Sequence, residues 1–186
     1  MTLSREEAEK MLHEYIKNPN MISHCYASEA VIRAVARHLG RDEEKWGMAG
    51  LLHDLDVEIT NADPHVHGKE TARILEEKGV DPEIVDAIRM HNEVSAGAPR
   101  TTEFQHALAA SETVTGLIVA TTLVYPDKKV ASVKPKSVVK RMKEKKFAAS
   151  VKRENIMECE KIGIPLPEFV ATALGAMTGI HEKLGL

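Results

Sequence analysis

The sequence is poor in aromatic residues and in cysteines, and both shortages narrow the choice of fold. Phe, Trp and Tyr make up only 4% of the 186 residues, so the core must consist mainly of aliphatic side chains, methionine and alanine, which suit helices better than sheets. The two cysteines, Cys25 and Cys159, have no partners at ligand spacing. They make neither a disulfide framework nor a cysteine-based zinc site, and we expect both thiols to be reduced.

The chain also lacks a transmembrane run and a strong excess of one charge. Its net charge of −3 gives no overall attraction to nucleic acid or to a membrane. The most apolar long segment, 107–125, contains Glu112 and four threonines, so it predicts a buried core helix rather than a membrane span. The charged segment 1–7 has no apolar signal core, and we expect a cytoplasmic protein without a membrane partner.

Helix caps and helix stops are present almost throughout. They predict helices that begin near Ser4, Ser23, Asp42, Asp63, Asp81, Thr102, Ser150 and Pro167, with stops at Asn18, Gly40, Gly79, Pro126 and Gly163. No alternating strand pattern, low-complexity linker or internal repeat occurs in the sequence. The sequence predicts an all-α, single-domain helical bundle over residues 1–186, with a core at roughly 20–125 and a basic helical extension at roughly 126–186.

Polar side chains stand at positions where these helices require buried residues. His24 points inward, although a single inward histidine is more often a hydrogen-bonded core residue than a metal ligand. His53 and Asp54 end the apolar run that starts at Ala49. A carboxylate there is costly unless it is paired or binds a metal, and two adjacent residues at a helix end can flank one ion.

Three later residues continue this pattern. His67 leads the apolar face of the helix predicted after Asp63, and the sequence leaves open whether His65 or His67 points inward; we favour His67. His91 and Glu112 lie on the apolar faces of their helices, where Glu112 is a metal ligand, a salt-bridge partner or a protonated acid. Imidazole and carboxylate donors without thiolates suit a catalytic site for Mn, Fe, Ni, Co or Zn.

The order of these residues resembles that of the HD-domain superfamily of metal-dependent phosphohydrolases. The segment Ala49–Asp54 is similar to the usual start of its His-Asp motif, and His67 with Gly68 and the segment 88–93 resemble the additional histidine segments of two-metal members. The similarity covers roughly residues 20–125. It implies an all-α fold and a first metal held by His24, His53, Asp54 and Glu112.

The resemblance also implies a chemistry. Asp54 is the expected catalytic residue and would bridge to a second ion at His67 and His91, while a metal-bound water attacks phosphorus. The expected activity is that of a phosphomonoesterase or phosphodiesterase on a nucleotide or another small phosphorylated compound. The superfamily also contains di-iron oxygenases and inactive regulatory domains that bind nucleotides, so these stay as alternatives.

The sequence departs from the family pattern at four positions. Glu112 replaces the usual last Asp, Asp56 replaces the glycine that often follows the motif, and Val57 stands where some members carry a catalytic lysine. Asn92 follows His91 where two-metal members often have a second histidine. The pattern therefore implies one ion and leaves open a second.

A basic stretch between Lys128 and Arg153 contains 11 of the 25 basic residues and one acid, Glu144. It is either a solvated helix face or a region that attracts phosphate. For the second case, the substrate-phosphate candidates are Lys140, Arg141, Lys145 and Lys146. Phe147 is its only aromatic residue, which argues against binding of nucleic acid. The sequence predicts no particular oligomeric state.

Overall fold

The computed structural model describes residues 3–186, and within that range the chain forms helices joined by turns, without a strand. The α-helices are α1 (Arg5–Tyr15), α2 (Pro19–Leu39), α3 (Glu43–Leu52), α4 (Lys69–Glu77), α5 (Pro82–His91), α6 (Glu93–Ala96), α7 (Glu103–Leu123), α8 (Pro135–Arg141), α9 (Arg153–Ile156), α10 (Leu166–Gly179) and α11 (His181–Leu184). Two 3-10 helices span Val130–Ser132 and Met157–Ile162. The predicted all-α fold is confirmed.

Several helices begin and end where the sequence predicts. Ser4 and Thr102 form capping boxes at the starts of α1 and α7. The side chains of Asp42 and Asp81 accept backbone hydrogen bonds at the starts of α3 and α5. Gly40 ends α2 in the left-handed conformation, with φ of 67°. These helix ends can be predicted from the sequence because each cap interacts only with residues a few positions away.

Two predicted helix starts in the first half are wrong. α2 begins at Pro19 rather than near Ser23, because the Asn18 side chain accepts from two backbone N–H groups and proline fits the first turn. Asp63 does not open α4; residues 53–68 form consecutive turns, and α4 starts only after Gly68. The longer turn region matters because it carries one of the histidines of the site.

The C-terminal third is more broken than the sequence predicts. The helix expected from Ser150 to Gly163 is instead the four-residue α9 followed by the 3-10 helix Met157–Ile162. The last long helix starts at Leu166, one residue before the predicted Pro167. The short helices α6, α8 and α11 were not predicted. Helices this short carry too few residues to show a periodic pattern.

α2 and α7 lie at the centre of the bundle. α2 contacts α3, α7 and α10, whereas α7 also contacts α5, α9 and the 3-10 helix Met157–Ile162. Buried residues of the extension, such as Val138 and Phe169, belong to the same hydrophobic cluster as Ile32 and Leu108. The extension therefore shares one core with the rest of the bundle.

A glycine sets the distance between α2 and α3. A Cβ atom at Gly50 would lie 2.8 Å from the carbonyl oxygen of Ser28 and 2.9 Å from the Cα of Glu29. Only glycine lets the two backbones approach this closely. The close approach brings the end of α3, with His53, beside His24 of α2.

A helix that crosses a bilayer must be both long enough and apolar enough. Among residues 3–186, no helix meets both requirements alone. One pair, Arg153–Ile162 with Leu166–Gly179, meets them in combination but is bent by 104°.

Candidate metal centre

Six side chains meet at one end of the bundle although they come from five separate segments. These are His24 of α2, His53 and Asp54 just after α3, His67 in the turns before α4, His91 at the end of α5, and Glu112 of α7. They are the six ligand candidates of the sequence analysis. His65, the alternative to His67, is exposed to solvent.

The buried carboxylate of Asp54 lies at the middle of the four imidazoles. Its Oδ2 atom is 3.4 Å from Nε2 of His24 and 3.3 Å from Nε2 of His53. Its Oδ1 atom is 3.0 Å from Nε2 of His67 and 3.4 Å from Nε2 of His91. Each oxygen therefore faces one pair of imidazoles.

In His53 and His91, the hydrogen-bond partner of the outer nitrogen, Nδ1, determines which ring nitrogen carries the proton. Nδ1 of His53 lies 2.8 Å from the carbonyl oxygen of Gly50, and Nδ1 of His91 lies against the carbonyl oxygen of Ile88. A carbonyl oxygen can only accept, so Nδ1 carries the proton in both rings. In the neutral ring, Nε2 then presents a lone pair toward Asp54.

The other two histidines have the same orientation. The hydroxyl of Thr115 donates to the backbone oxygen of Glu112 (2.7 Å), so its Oγ1 accepts from Nδ1 of His24 (3.0 Å). Nδ1 of His67 donates to Oδ1 of Asp56 at 2.6 Å. All four rings thus direct Nε2 inward, as metal-binding histidines do when the outer N–H is held by an acceptor.

The inward nitrogens approach each other in pairs. The two Nε2 atoms of His24 and His53 are 3.1 Å apart, and so are those of His67 and His91. Two lone pairs facing each other at this distance repel unless a proton or a metal cation lies between them. The donor set therefore fits a cation on each side of Asp54.

Glu112 completes the side that contains His24 and His53. Its Oε2 atom is 3.8 Å from Nε2 of His24, and ligand atoms of His24, His53 and Glu112 lie within 4.8 Å of one another. A second group with the same spacing consists of His53, Asp54 and His91. Nitrogen and oxygen donors of this kind could hold a divalent transition metal.

The charges in the centre favour a positive occupant. Burial alone would raise the pKa of Asp54, but the imidazoles of His53, His24 and His67 outweigh burial and hold that pKa well below its usual value. Burial lowers the pKa of His67, yet hydrogen bonds to Asp54 and Asp56 raise it to about 10. The pKa of His24 is raised in the same way by Asp54 and Glu112 against the effect of burial. Protons and metal ions compete for these positions.

Asp56 positions His67, a role that the sequence analysis missed. Its buried carboxylate accepts from Nδ1 of His67 and from the backbone N–H groups of Gly68 (2.7 Å) and Thr71 (3.0 Å). The signal in the sequence for this role is that Asp56 is a second acid, two residues after Asp54, in an apolar stretch. In the sequence, Asp56 stands out only as a departure from the family pattern.

Gly68 is required on two grounds. Its φ is 93°, a left-handed conformation that side chains rarely adopt, and an added Cβ would lie 3.3 Å from Cε1 of His91. The turn therefore lets His67 and His91 come together.

Arg100 ties the end of α5 to the extension. Its side chain is only 2% exposed and donates to the carbonyl oxygens of Met90 (3.0 Å) and His91 (3.1 Å). It also donates to Glu158 (2.7 Å) and to Oδ1 of Asn155 (2.9 Å). The backbone that carries His91 is thus held by residues far along the chain.

The same network reaches Glu112. Nδ2 of Asn155 lies 3.4 Å from Oγ1 of Thr113, and the hydroxyl of Thr113 donates to Oε1 of Glu112 at 2.6 Å. One carboxylate oxygen is therefore restrained, which leaves Oε2 on the side of His24.

A cavity of about 290 Å³ opens above the centre. All ligand candidates except His53 line it, together with Ser150, Val151, Lys152 and Asn155 of the extension. The four substrate-phosphate candidates of the basic stretch, Lys140, Arg141, Lys145 and Lys146, are not among the residues that line it. Lys152, which we did not single out, lies there instead.

Comparison with known proteins agrees with this arrangement. A family model described as "HD domain" matches residues 21–122, more than half of the chain and the part that contains all six ligand candidates. A comparison with curated proteins found no match. The family consists mostly of metal-dependent hydrolases. The chain belongs to the HD-domain family.

Proposed function

We propose that this protein is a metal-dependent phosphohydrolase that cleaves a phosphoester bond of a small phosphorylated compound. The observation that carries the proposal is the convergence of four Nε2 atoms on the two oxygens of Asp54, at 3.0–3.4 Å. Each outer nitrogen is held by an acceptor, so the rings are oriented before anything binds. Purely structural histidines have no need of this common orientation.

The donor set supports two ions that share Asp54. His24, His53 and Glu112 would hold one ion with Oδ2 of Asp54, and His67 and His91 would hold the other with Oδ1. Mn, Fe, Ni, Co and Zn all accept such donors. A divalent ion in this position lowers the pKa of a water molecule toward neutrality and polarises a phosphoryl oxygen.

The protein's own residues supply orientation and charge. Asp54 is the residue that we expect to be catalytic, because its carboxylate contacts all four imidazoles and lines the cavity. Lys152 adds a positive charge at the cavity wall. The net reaction adds water across the P–O ester bond and releases an alcohol and a phosphate.

The test combines elemental analysis of the purified protein with a screen of phosphomonoesters and phosphodiesters. His53→Ala and Asp54→Ala should reduce metal content and abolish phosphate release, with helical content checked by circular dichroism. His65→Ala is the matched control, since this imidazole is exposed and outside the centre. It should change neither metal content nor phosphate release.

Three results would contradict the proposal. The first is full metal content and activity in folded His53→Ala or Asp54→Ala protein. The second is oxygen consumption without phosphate release, which would identify a di-iron oxygenase instead. The third is tight nucleotide binding with no turnover under any of the metals, which would identify a regulatory domain.

A further inference from the structure

The turn-rich segment 142–152 of the extension ends in three residues, 150–152, that form one wall of the cavity. The guanidinium of Arg153 donates to the carbonyl oxygens of Ala148 (2.6 Å), Val151 (3.0 Å), Arg141 (3.2 Å) and Glu144 (3.2 Å). One side chain thereby satisfies carbonyl groups along a segment that has no regular helix of its own. These hydrogen bonds within the chain hold the segment in a defined shape.

A glycine of α7 receives this wall. A Cβ atom at Gly116 would lie 3.2 Å from Cγ2 of Val151, so Val151 packs directly on the helix backbone one turn beyond Glu112. Its neighbours Ser150 and Lys152 both line the cavity. The extension therefore places an exposed serine and an exposed lysine at the cavity that the ligand candidates also line.

The lining of this cavity is rich in hydrogen-bonding groups. Besides the ligand candidates, it includes Thr113, Ser150 and Asn155, and Lys152 is its only Lys or Arg within residues 3–186. Lys152 forms no ion pair with another described residue, so its charge is available to an anion. Hydroxyl, amide and ammonium groups together suit a ligand that carries a phosphate and several hydroxyls.

The same lining offers little for a nucleobase to stack on. Bases bind by stacking on aromatic side chains, and no Phe, Tyr or Trp among residues 3–186 lines the cavity. The aromatic rings that do line it are the imidazoles of His24, His67 and His91, whose Nε2 atoms face Asp54. Phe147, the aromatic residue of the basic stretch, is covered by the guanidinium of Arg141, 4.2 Å from its ring centre. The volume of about 290 Å³ lies just below the range of about 300–1,000 Å³ found for drug-sized ligands. A compact, polar ligand fits these features better than a nucleotide.

We infer that the substrate is a small phosphorylated sugar or polyol and that Lys152 is its specificity-determining residue. Lys152 pairs with a phosphate oxygen, and Ser150 bonds a hydroxyl of the carbon skeleton. This inference rests on the proposed phosphohydrolase function. It assigns substrate recognition to the extension, which lies outside the part matched by the family model.

The test compares kcat and KM for sugar phosphates, polyol phosphates and nucleoside monophosphates in wild type, Lys152→Met and Lys143→Met. Lys143 is the matched control because it is an exposed lysine of the same stretch that neither lines the cavity nor is a substrate-phosphate candidate. Sugar or polyol phosphates should be preferred. Lys152→Met should raise their KM about 10- to 100-fold, the effect of losing a hydrogen bond to a charged group.

Calorimetric binding of inorganic phosphate to the metal-loaded protein gives a second readout. Lys152→Met should weaken this binding by a similar factor, whereas Lys143→Met should leave it unchanged. A preference for nucleotides, or equal effects of the two substitutions, would overturn this inference and leave the phosphohydrolase proposal standing. If no phosphoester were hydrolysed, both the phosphohydrolase proposal and this inference would be contradicted.

Discussion

At the scale of single residues, the centre depends on hydrogen bonds that lie one step outside the ligand candidates. Gly50, Ile88, Thr115 and Asp56 each accept the Nδ1 proton of one imidazole. Two of these acceptors are backbone carbonyls, which substitution cannot remove. The side chain of Asp56 is therefore the best position at which to test whether orientation of the rings matters.

Asp56→Asn should weaken metal binding on the His67 side of the centre. The amide keeps the shape but removes the negative charge that helps to raise the pKa of His67. Loss of such an outer partner typically lowers metal affinity about 10- to 100-fold. Calorimetric titration with Mn²⁺ should show one weakened site and one unchanged site. Asp63→Asn, an exposed acid in the same turns, is the control, and equal titration curves for all three proteins would contradict this role.

Thr113→Val should weaken metal binding on the other side. It removes the hydrogen bond to Oε1 of Glu112 at nearly constant volume and frees the carboxylate to rotate. The expected result is lower affinity at the site of His24 and His53, measured by the same titration. Thr121→Val alters a buried threonine of the same helix that bonds only its own helix backbone. If both variants titrate alike, Glu112 is not positioned through Thr113.

The sequence could predict the six ligand candidates because they are polar residues in or directly beside apolar helical runs, in an order that resembles the HD-domain pattern. It could not predict Thr115 or Asn155 as partners. Thr115 acts through a bond to Nδ1 of His24, and Asn155 reaches Thr113 from the extension. Such pairings depend on how distant elements meet, which helix periodicity does not encode.

At the scale of elements, the turns between α3 and α4 show how a local signal can be overruled. Asp63 does form one turn, since its carbonyl oxygen accepts from the N–H groups of Val66 (3.1 Å) and His67 (2.8 Å). The turn does not continue as a helix, because Gly68 takes a left-handed conformation before α4 starts. That break directs His67 to Asp56 and Asp54.

Gly50→Ala should destabilise the fold by separating α2 from α3. The added methyl would overlap the backbone of Ser28, and overpacking of this kind costs about 1–3 kcal/mol. Chemical denaturation measures the free energy of unfolding. Gly175→Ala is the control, because a Cβ there meets nothing within 4 Å and the residue lies inside α10. It should be neutral or stabilise by up to about 1 kcal/mol. Equal changes in the free energy of unfolding for the two variants would contradict the close approach of α2 and α3.

At the scale of the whole molecule, the extension is part of the bundle rather than an appendage. The sequence predicts a basic helical extension but not that the extension returns to the site. Arg100 and Asn155 join the two parts beside the centre, and Phe169 and Val138 are buried in the common core. The helical content was predictable from caps and periodicity. The contact between the two parts was not, since it joins residues more than 50 positions apart.

The buried thiol of the extension reports on this docking. Burial raises the pKa of Cys159 to about 12, so only about one thiol in 10⁴ is ionised at pH 8. In a Cys25→Ala background, the remaining thiol should react slowly with a disulfide reagent at pH 8 and rapidly in denaturant. Rapid reaction of the folded protein would mean that the extension detaches from the core.

The measurement that tests the central claim most directly is anomalous diffraction from crystals loaded with Mn²⁺. The account predicts one anomalous peak on each side of Asp54. One should lie within bonding distance of Nε2 of His24 and His53, and the other within bonding distance of Nε2 of His67 and His91. A single peak next to Asp54 would mean that the centre binds one ion and not two. No peak among these side chains at saturating Mn²⁺ would contradict the account.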